Sequence, residues 1–373
     1  TDGAQRGDLY ITFRIEADSR FTREGDDLHT TVTCNLYTLL LGGEAVVPTL
    51  DGSARARIKA GTQPGSRLRL RGKGMPHYRS EGAGDMIVEA CSIANTLHDV
   101  DFTRYDNDGD GYVDFVYVIY AGKGEAAGGA ANTIWPHAWD LESAYYYNNT
   151  SYNTSQRQFD GKTVLNYACS SELNYDGSRD GIGTIAHEFS HVIGLPDLYD
   201  IYNGENAENQ KTPSAWHIMD YGSYNNDGKT PPSYTIYDKY YLGWKTLVNP
   251  GNTAQVMTLA AGEGYQLASS NSLLSATSTN TVYYIENRQN TGWDTHLPGH
   301  GLLIWKVMYN QNVWNENSPN ANPLRYTLVS ATGNTTGIGT AADAFPGTQN
   351  KTSWSDLTGK PLTNITENNG TIT

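Results

Sequence analysis

Apolar and polar residues alternate with period two over Leu9-Tyr10-Ile11-Thr12-Phe13-Arg14-Ile15 and again over Leu28-His29-Thr30-Thr31-Val32-Thr33-Cys34. That period puts successive side chains on opposite faces and predicts half-buried strands. Asp51-Gly52, a pair suited to a tight hairpin turn, separates Ala45–Leu50 from Ala54–Ile58. The first 85 residues therefore read as antiparallel β. The pattern then changes. Ile87-Val88-Glu89-Ala90-Cys91-Ser92-Ile93-Ala94 predicts a helix, and Val113–Ala121 is apolar and β-branched enough for a buried strand. Gly122, Gly124, Gly128 and Gly129 follow as a loop. Beyond Tyr240-Tyr241-Leu242-Gly243-Trp244 the chain turns β-rich, with Val282–Glu286 and Gly301–Trp305 as strands between Asn/Thr/Gly turns. Taken together these elements predict an α+β protein.

The chemistry concentrates in His187-Glu188-Phe189-Ser190-His191-Val192-Ile193-Gly194-Leu195-Pro196-Asp197. Residues four apart on a helix lie one turn from each other on one face, so His187 and His191 can reach a single metal ion. Glu188 between them is placed to take a proton from water activated by that metal. Gly194 lets the chain leave the helix in a conformation other residues resist, which swings Asp197 back as third ligand, with Asp200 the fallback. Three protein ligands leave a fourth position open, the arrangement of a catalytic rather than a structural zinc. Downstream, Trp216-His217-Ile218-Met219-Asp220-Tyr221-Gly222 reads as a tight turn. Met219 would give the metal site a soft apolar floor, and the Tyr221 phenol would donate a hydrogen bond to a developing oxyanion.

These residues resemble the immune inhibitor A type of secreted metalloprotease, from about residue 91 to the C-terminus. That family is zincin-like and close to the metzincins, which share H-E-x-x-H-x-x-G-x-x-H/D and a methionine turn. The resemblance implies a zincin-like catalytic domain built of a mixed sheet and an active-site helix. It also implies endopeptidase activity on protein or peptide substrates, with His187, His191 and Asp197 on zinc, Glu188 as general base, Met219 in the turn and Tyr221 as the turn tyrosine. Glu286-Asn287-Arg288-Gln289 matches the β region after the family's catalytic domain, while Lys306 and Met308 stand where the family usually has His and Asp.

The chain has 373 residues and a net charge of -14, unevenly spread. Residues 1–90 hold 12 Lys+Arg and 12 Asp+Glu, whereas all 8 Trp and 23 of the 26 Tyr lie beyond them. The stretches Gly7–Ile15, Arg20–Leu28, Leu41-Gly42-Gly43-Glu44, Val47–Gly52, Gly61–Gly65 and Leu70–Pro76 resemble the C-terminal substrate-binding region of a bacterial DnaJ-type co-chaperone. That resemblance implies a β-sandwich segment without the J-domain, the Gly/Phe linker, zinc-binding Cys repeats or the dimerisation element. The metalloprotease pattern is likewise short of its strands upstream of residue 87. Both patterns break near Gly84-Asp85-Met86, so the chain reads as a composite of 1–85, a catalytic domain over 86–246 and a β-rich domain over 247–373. Separate folding units predict proteolytic cleavage between about Ser80 and Asn95, and missing upstream strands predict an open sheet edge.

A second metal signal is Asp106-Asn107-Asp108-Gly109-Asp110-Gly111-Tyr112-Val113-Asp114. Carboxylates at alternate positions around a turn suit calcium, with Asp106, Asp108, Asp110 and Asp114 as ligands, although Tyr117 stands where an EF-hand has its glutamate. Three cysteines (Cys34, Cys91, Cys169) at wide spacing predict free thiols rather than a disulfide framework. His137 after Trp135-Pro136 reads as a satisfied structural group. Arg67, Arg69, Arg71 and Lys73 alternate with Leu68 and Leu70 as the solvated face of a strand, so no nucleic-acid partner is expected. No apolar run reaches membrane-spanning length, and the polar opening Thr-Asp-Gly-Ala-Gln-Arg carries no signal peptide. The expected protein is a zinc endopeptidase, secreted or of the cell envelope, or cytoplasmic if the first segment is native. The alternative is a client-binding chaperone module on an inactive composite.

Overall fold

A computed structural model of the chain describes residues 20–24, 27–49, 52–63, 65–66, 83–130, 133–147, 157–201, 212–268, 275–277, 279–321, 323–334 and 339–373. The expected strand Leu9–Ile15 and the stripe Arg67, Arg69, Arg71, Lys73 lie outside the described residues. So do most of the matching stretches at 7–15 and 70–76.

The first described elements are short. β1 (Thr22–Glu24) and β2 (Asp27–His29) pair antiparallel. The strand expected over Leu28–Cys34 stops at His29, and the chain leads instead into α1 (Leu36–Leu41). The cause is local: the Asn35 side chain accepts the Tyr37 N–H at 2.9 Å, capping a helix where the alternating pattern ran out. β3 (Gly43–Thr49) and β4 (Gly52–Ile58) form the expected hairpin, in register from Gly43↔Ile58 to Thr49↔Gly52. Ala45, Ala56 and Ile58 are buried, while Arg55 and Arg57 face solvent. Among the described residues these strands form two separate two-stranded sheets, not an assembled sandwich.

α2 (Ala83–His98) begins four residues before the expected Ile87 and runs straight through the join. Its spacing explains its burial: Ala83, Ile87, Ala90, Cys91 and Ala94 fall on one face. They pack with Phe102, Val118, Leu141, Tyr167 and Cys169. Most of the window expected to be cut is therefore helix held against a core.

The middle of the chain contains β5 (Tyr112–Val113), β6 (Val116–Lys123), β7 (His137–Asp140), α3 (Leu141–Tyr147), β8 (Gln158–Phe159), β9 (Lys162–Val164), β10 (Asn166–Leu173) and α4 (Ile182–Val192). Its main sheet has the order β6-β10-β7, parallel at β6/β10 and antiparallel at β10/β7. Among the described residues β6 lies at one edge of this sheet. β5, β9 and β8 make a second small sheet beside it.

After α5 (Ile236–Tyr241) come β11 (Gly264–Leu267), β12 (Thr281–Arg288), β13 (Gly301–Met308), α6 (Gln311–Asn315), β14 (Tyr326–Leu328), β15 (Glu367–Asn368) and β16 (Thr371–Ile372). β11 to β14 form one antiparallel sheet in chain order, and β12 and β13 are buried on both faces. The chain is thus mixed α+β, with the β-rich end that the sequence predicts.

One apolar core joins the middle of the chain to that sheet. It contains Leu195, Leu198, Trp216, Ile218 and Met219 together with Leu247, Val282, Trp305, Tyr326 and Ala344. The expected division at 246/247 passes through this core. Two buried polar networks cross it as well. Glu286 accepts the Ile236 N–H at 3.0 Å and the Trp305 Nε1–H at 2.7 Å, while Arg288 bridges Glu286 (3.3 Å) and Asp294 (2.6 Å). The pairing pushes the Arg288 pKa up against its burial. In the second network, His217 Nε2 lies 2.8 Å from Asp238 Oδ2, and both side chains are almost wholly buried. Asp238 also caps α5: its carboxylate takes the Thr235 N–H at 2.9 Å while Thr235 Oγ1 takes the Asp238 N–H.

Burial alone would raise the Asp238 carboxyl, but His217 and Thr235 outweigh it and hold it below the usual carboxylate range. A depressed folded pKa contributes stability above the unfolded carboxylate pKa, and the contribution is lost as pH falls through the folded value. Asp238→Asn is therefore expected to cost about 1–3 kcal/mol at neutral pH, the usual cost of disrupting a buried hydrogen bond to a charged group. The gap to the parent should shrink in acid, where the parent carboxyl is itself protonated. A series of melting curves against pH measures this; a gap that stays constant into acid contradicts it.

Candidate metal centre

α4 is the expected helix, and it carries His187 and His191 on one face. It lies close against the loop after residue 217, and glycine makes that approach possible. A Cβ on Gly183 would stand 1.8 Å from the Ser223 carbonyl oxygen and 3.0 Å from that of Gly228, which accepts the Gly183 N–H at 2.8 Å. At the other end Gly194 takes φ +100°, as the sequence requires, and the chain turns back under the helix.

The turn brings three donors together. His187 Nε2 lies 3.0 Å from Asp197 Oδ1, and His191 Nε2 lies 3.3 Å from the same oxygen. One ligand atom from each of these residues falls within 4.8 Å of the others. The far nitrogens are fixed by backbone carbonyls, which can only accept. His187 Nδ1–H donates to Ile218 O at 2.8 Å, and His191 Nδ1–H donates to Leu195 O at 2.8 Å. Each imidazole thus presents Nε2 to the common centre. Two oriented imidazoles and one carboxylate, with room for a further ligand, is a donor set that fits zinc. Asp200 is buried and lines the same cleft, but it is Asp197 that joins the two histidines.

His187, Glu188 and Asp197 are all buried. Burial would lower the His187 pKa, yet its hydrogen bond to Asp197 and the charge of Glu188 push it up to about 9. The same histidines drive the buried Asp197 carboxyl far below the usual range. A cation entering here must displace a proton, so its affinity falls with pH. Glu188 is 7 % exposed, and burial raises its pKa against the pull of both histidines. Its carboxylate also accepts the N–H of Ala138 on β7, the outer strand of the main sheet.

Met219 is buried in the core beneath this centre, and its N–H donates to His217 Nδ1 at 3.0 Å. Its carbonyl accepts the Leu198 N–H at 2.8 Å, tying the turn to the segment that carries Asp197. Tyr221 lines the cleft of about 390 Å³ that opens over His187 and Glu188. Tyr199, which sequence reasoning missed, lines it too. Its ring stacks on that of His187 (6.5 Å between centroids, 21° between planes), near the Asp197 carboxylate. Burial and the neighbouring carboxylates raise its pKa, so it stays a protonated donor. Nothing local in the sequence marks Tyr199; its place depends on the chain folding back beside His187.

Residues 84–247 match the family model of the immune inhibitor A peptidase M6 catalytic domain, and residues 1–91 match that of the DnaJ C-terminal domain. Two family models thus match successive stretches of the chain, one of a metallopeptidase family and one of a chaperone family, and the matches overlap at 84–91. The DnaJ chaperone of Methylibium petroleiphilum is 49% identical over 94 residues, 25% of this chain and 24% of that protein. That of Geobacillus kaustophilus is 47% identical over 87 residues, 23% of each. The chain spans about a quarter of the length of these curated relatives.

The acidic loop forms only part of the expected set. Asp106, Asp108 and Asp114 converge within 4.8 Å, whereas Asp110 stands apart and its Oδ1 accepts the Tyr112 N–H at 2.8 Å. Lys162 Nζ already pairs with Asp106 Oδ2 at 2.6 Å and holds that carboxyl below its usual range. His137 is the structural group expected: Nδ1 meets Trp135 O at 2.8 Å and Nε2 meets the Tyr167 hydroxyl at 3.0 Å. Cys34, Cys91 and Cys169 are free thiols. Burial pushes Cys91 up to about 12 and raises Cys169 as well, which favours the thiol over the reactive thiolate. Among the described residues no helix is long and apolar enough to cross a membrane.

Alanine for glycine inside an exposed helix normally stabilises by about 0.5–1 kcal/mol. At Gly183 the opposite is expected: the new methyl overlaps the Ser223 carbonyl, and displacing packed backbone costs about 1–3 kcal/mol or more. Denaturant unfolding of Gly183→Ala decides the sign; a variant as stable as the parent means that α4 does not sit this close to the loop.

Proposed function

We propose that the chain is a zinc-dependent endopeptidase. The observation that carries this reading is the convergence of His187 Nε2, His191 Nε2 and Asp197 Oδ1 on one point beside the buried Glu188, at the floor of an open cleft. The match of residues 84–247 to a metallopeptidase family supports it. A zinc ion held by these three groups would supply Lewis acidity to water and to the scissile carbonyl. The chain's own residues do the rest. Glu188 takes the proton of the attacking water and passes it to the leaving amine, and burial, which makes its carboxylate a stronger base, suits it to that exchange near neutral pH. Tyr221 donates to the oxyanion that forms on the substrate, and Met219 fixes the turn beneath His187. The fold that holds them is a zincin-like catalytic domain over 86–246, after a co-chaperone-like segment (1–85) and before a β-rich domain (247–373), and the enzyme works outside the cell or in its envelope.

Glu188→Gln should retain zinc and lose casein hydrolysis by about 10²–10⁴-fold, because it removes a proton acceptor and no ligand. Full turnover in that variant, or loss of its zinc with turnover intact, would sink the assignment.

The same reading places calcium on Asp106, Asp108 and Asp114, with Lys162 as the rival counter-charge. An ion bound only to the folded state raises the melting temperature with its concentration. A rise between chelator and millimolar calcium is expected; an unchanged midpoint means that Lys162 alone neutralises the loop.

A second reading has an observation of its own. Leu36, Tyr37, Leu40 and Leu41 of α1 are 57–77 % exposed, an apolar surface on the segment that matches DnaJ. A client-binding module would suppress aggregation of an unfolded protein even in the Glu188→Gln variant; absence of suppression removes this reading.

A further inference from the structure

We propose that Asn317, 70 positions beyond the end of the stretch matching the peptidase family, is a positioning residue for the third metal ligand and sets how that ligand binds. The inference rests on the metal centre proposed above. Asn317 lies just past α6, 120 residues from Asp197, and its side chain grips Asp197 twice. Oδ1 accepts the Asp197 N–H at 2.6 Å, and Nδ2 donates to Asp197 Oδ2 at 2.7 Å. Both polar atoms of the amide are thus spent on one residue. The other carboxylate oxygen, Oδ1, is the one that faces His187 and His191.

The geometry has a chemical consequence. A free carboxylate can bind a metal through one oxygen or both. With Oδ2 held by an amide N–H, Asp197 presents a single oxygen, and the coordination position that Oδ2 would take stays free for water or substrate. The backbone hydrogen bond to the Asp197 N–H fixes the main chain from which that oxygen is presented. The same loop secures the next residue: Asn320, fully buried, donates to Leu198 O and to Tyr326 O at 2.7 Å each, and accepts the N–H groups of Arg325 and Tyr326. The ligand segment 197–198 is therefore held on one side by the helix and turn of the middle segment and on the other by the β-rich end of the chain.

A simpler role must be separated from this one. Asn317 has φ +53°, the left-handed conformation in which asparagine commonly ends a helix, so it would suit its place without touching Asp197. Glycine adopts that conformation freely and carries no amide. Asn317→Gly in the full chain thus removes the grip and keeps the turn. Asn350, also left-handed (φ +50°) but exposed and far along the chain, supplies the control Asn350→Gly.

Zinc affinity is measured by competition with a chromogenic chelator, and the visible spectrum is recorded with cobalt in place of zinc. Asn317→Gly is expected to weaken zinc by about 10–100-fold, the usual effect of losing a group that orients a ligand. Its cobalt absorption should weaken as the released carboxylate closes onto the metal through both oxygens and raises the coordination number. Its metal-free melting temperature and the zinc affinity of Asn350→Gly should stay at the parental values. Parental zinc affinity and cobalt spectrum in Asn317→Gly overturn the proposal while leaving the metal centre intact. Asp197→Ala separates the two failures: if it binds zinc as tightly as the parent, the metal centre itself is wrong and the positioning role falls with it.

Discussion

The hydrogen bond from His187 Nδ1 to the Ile218 carbonyl, 2.8 Å long and buried, is the contact on which the rest of the site depends. It sets the tautomer and the plane of the imidazole, and so decides that Nε2 faces Asp197 and His191. It also joins two segments that are 31 residues apart. Ile218 can receive it only because the turn is held from behind: Met219 N–H on His217 Nδ1, His217 Nε2 beside Asp238, and Leu198 N–H on Met219 O. A fault anywhere in that chain of contacts moves the carbonyl, and with it the ring.

The support does not stop at the stretch that matches the peptidase family. Trp305 and Tyr326 pack edge-on around His217, Tyr326 shares a hydrogen bond with Thr235, and Glu286 caps the start of α5. Residues beyond 247 thus form the wall against which the turn carrying Met219 is pressed. Among the described residues, the hydrogen bonds of α1 and the β3–β4 hairpin run within 35–66, while α2, where the two family matches overlap, packs into the core of the main sheet. Among the described residues, α2 runs without a break from Ala83 through the expected join at Gly84-Asp85-Met86.

Much of the site was legible because its signals are local. A four-residue histidine spacing, a glycine that must take positive φ and an aspartate three residues later need only helix geometry to converge, and they do. The hairpin at Asp51-Gly52 was legible for the same reason. What escaped notice depends on distant partners. Asn317 and Tyr199 carry no motif; they matter because the chain returns to place an amide and a phenol against Asp197. The strand expected over Leu28–Cys34 failed for an opposite reason: its alternation was real, but Asn35 offers a helix cap, and a satisfied N–H group at the start of α1 overrode a weak period. Asp110 looked like a ligand by position alone, yet its carboxylate closes its own turn on the Tyr112 N–H.

X-ray absorption at the zinc edge of the full chain, loaded with one equivalent of zinc, tests the central claim most directly. The account predicts a first shell of nitrogen and oxygen only, with two imidazoles at about 2.0–2.1 Å and oxygen ligands at about 2.0–2.2 Å. Replacing His187 should remove one imidazole from that shell. A shell containing sulfur, or one unchanged when His187 is replaced, would contradict it.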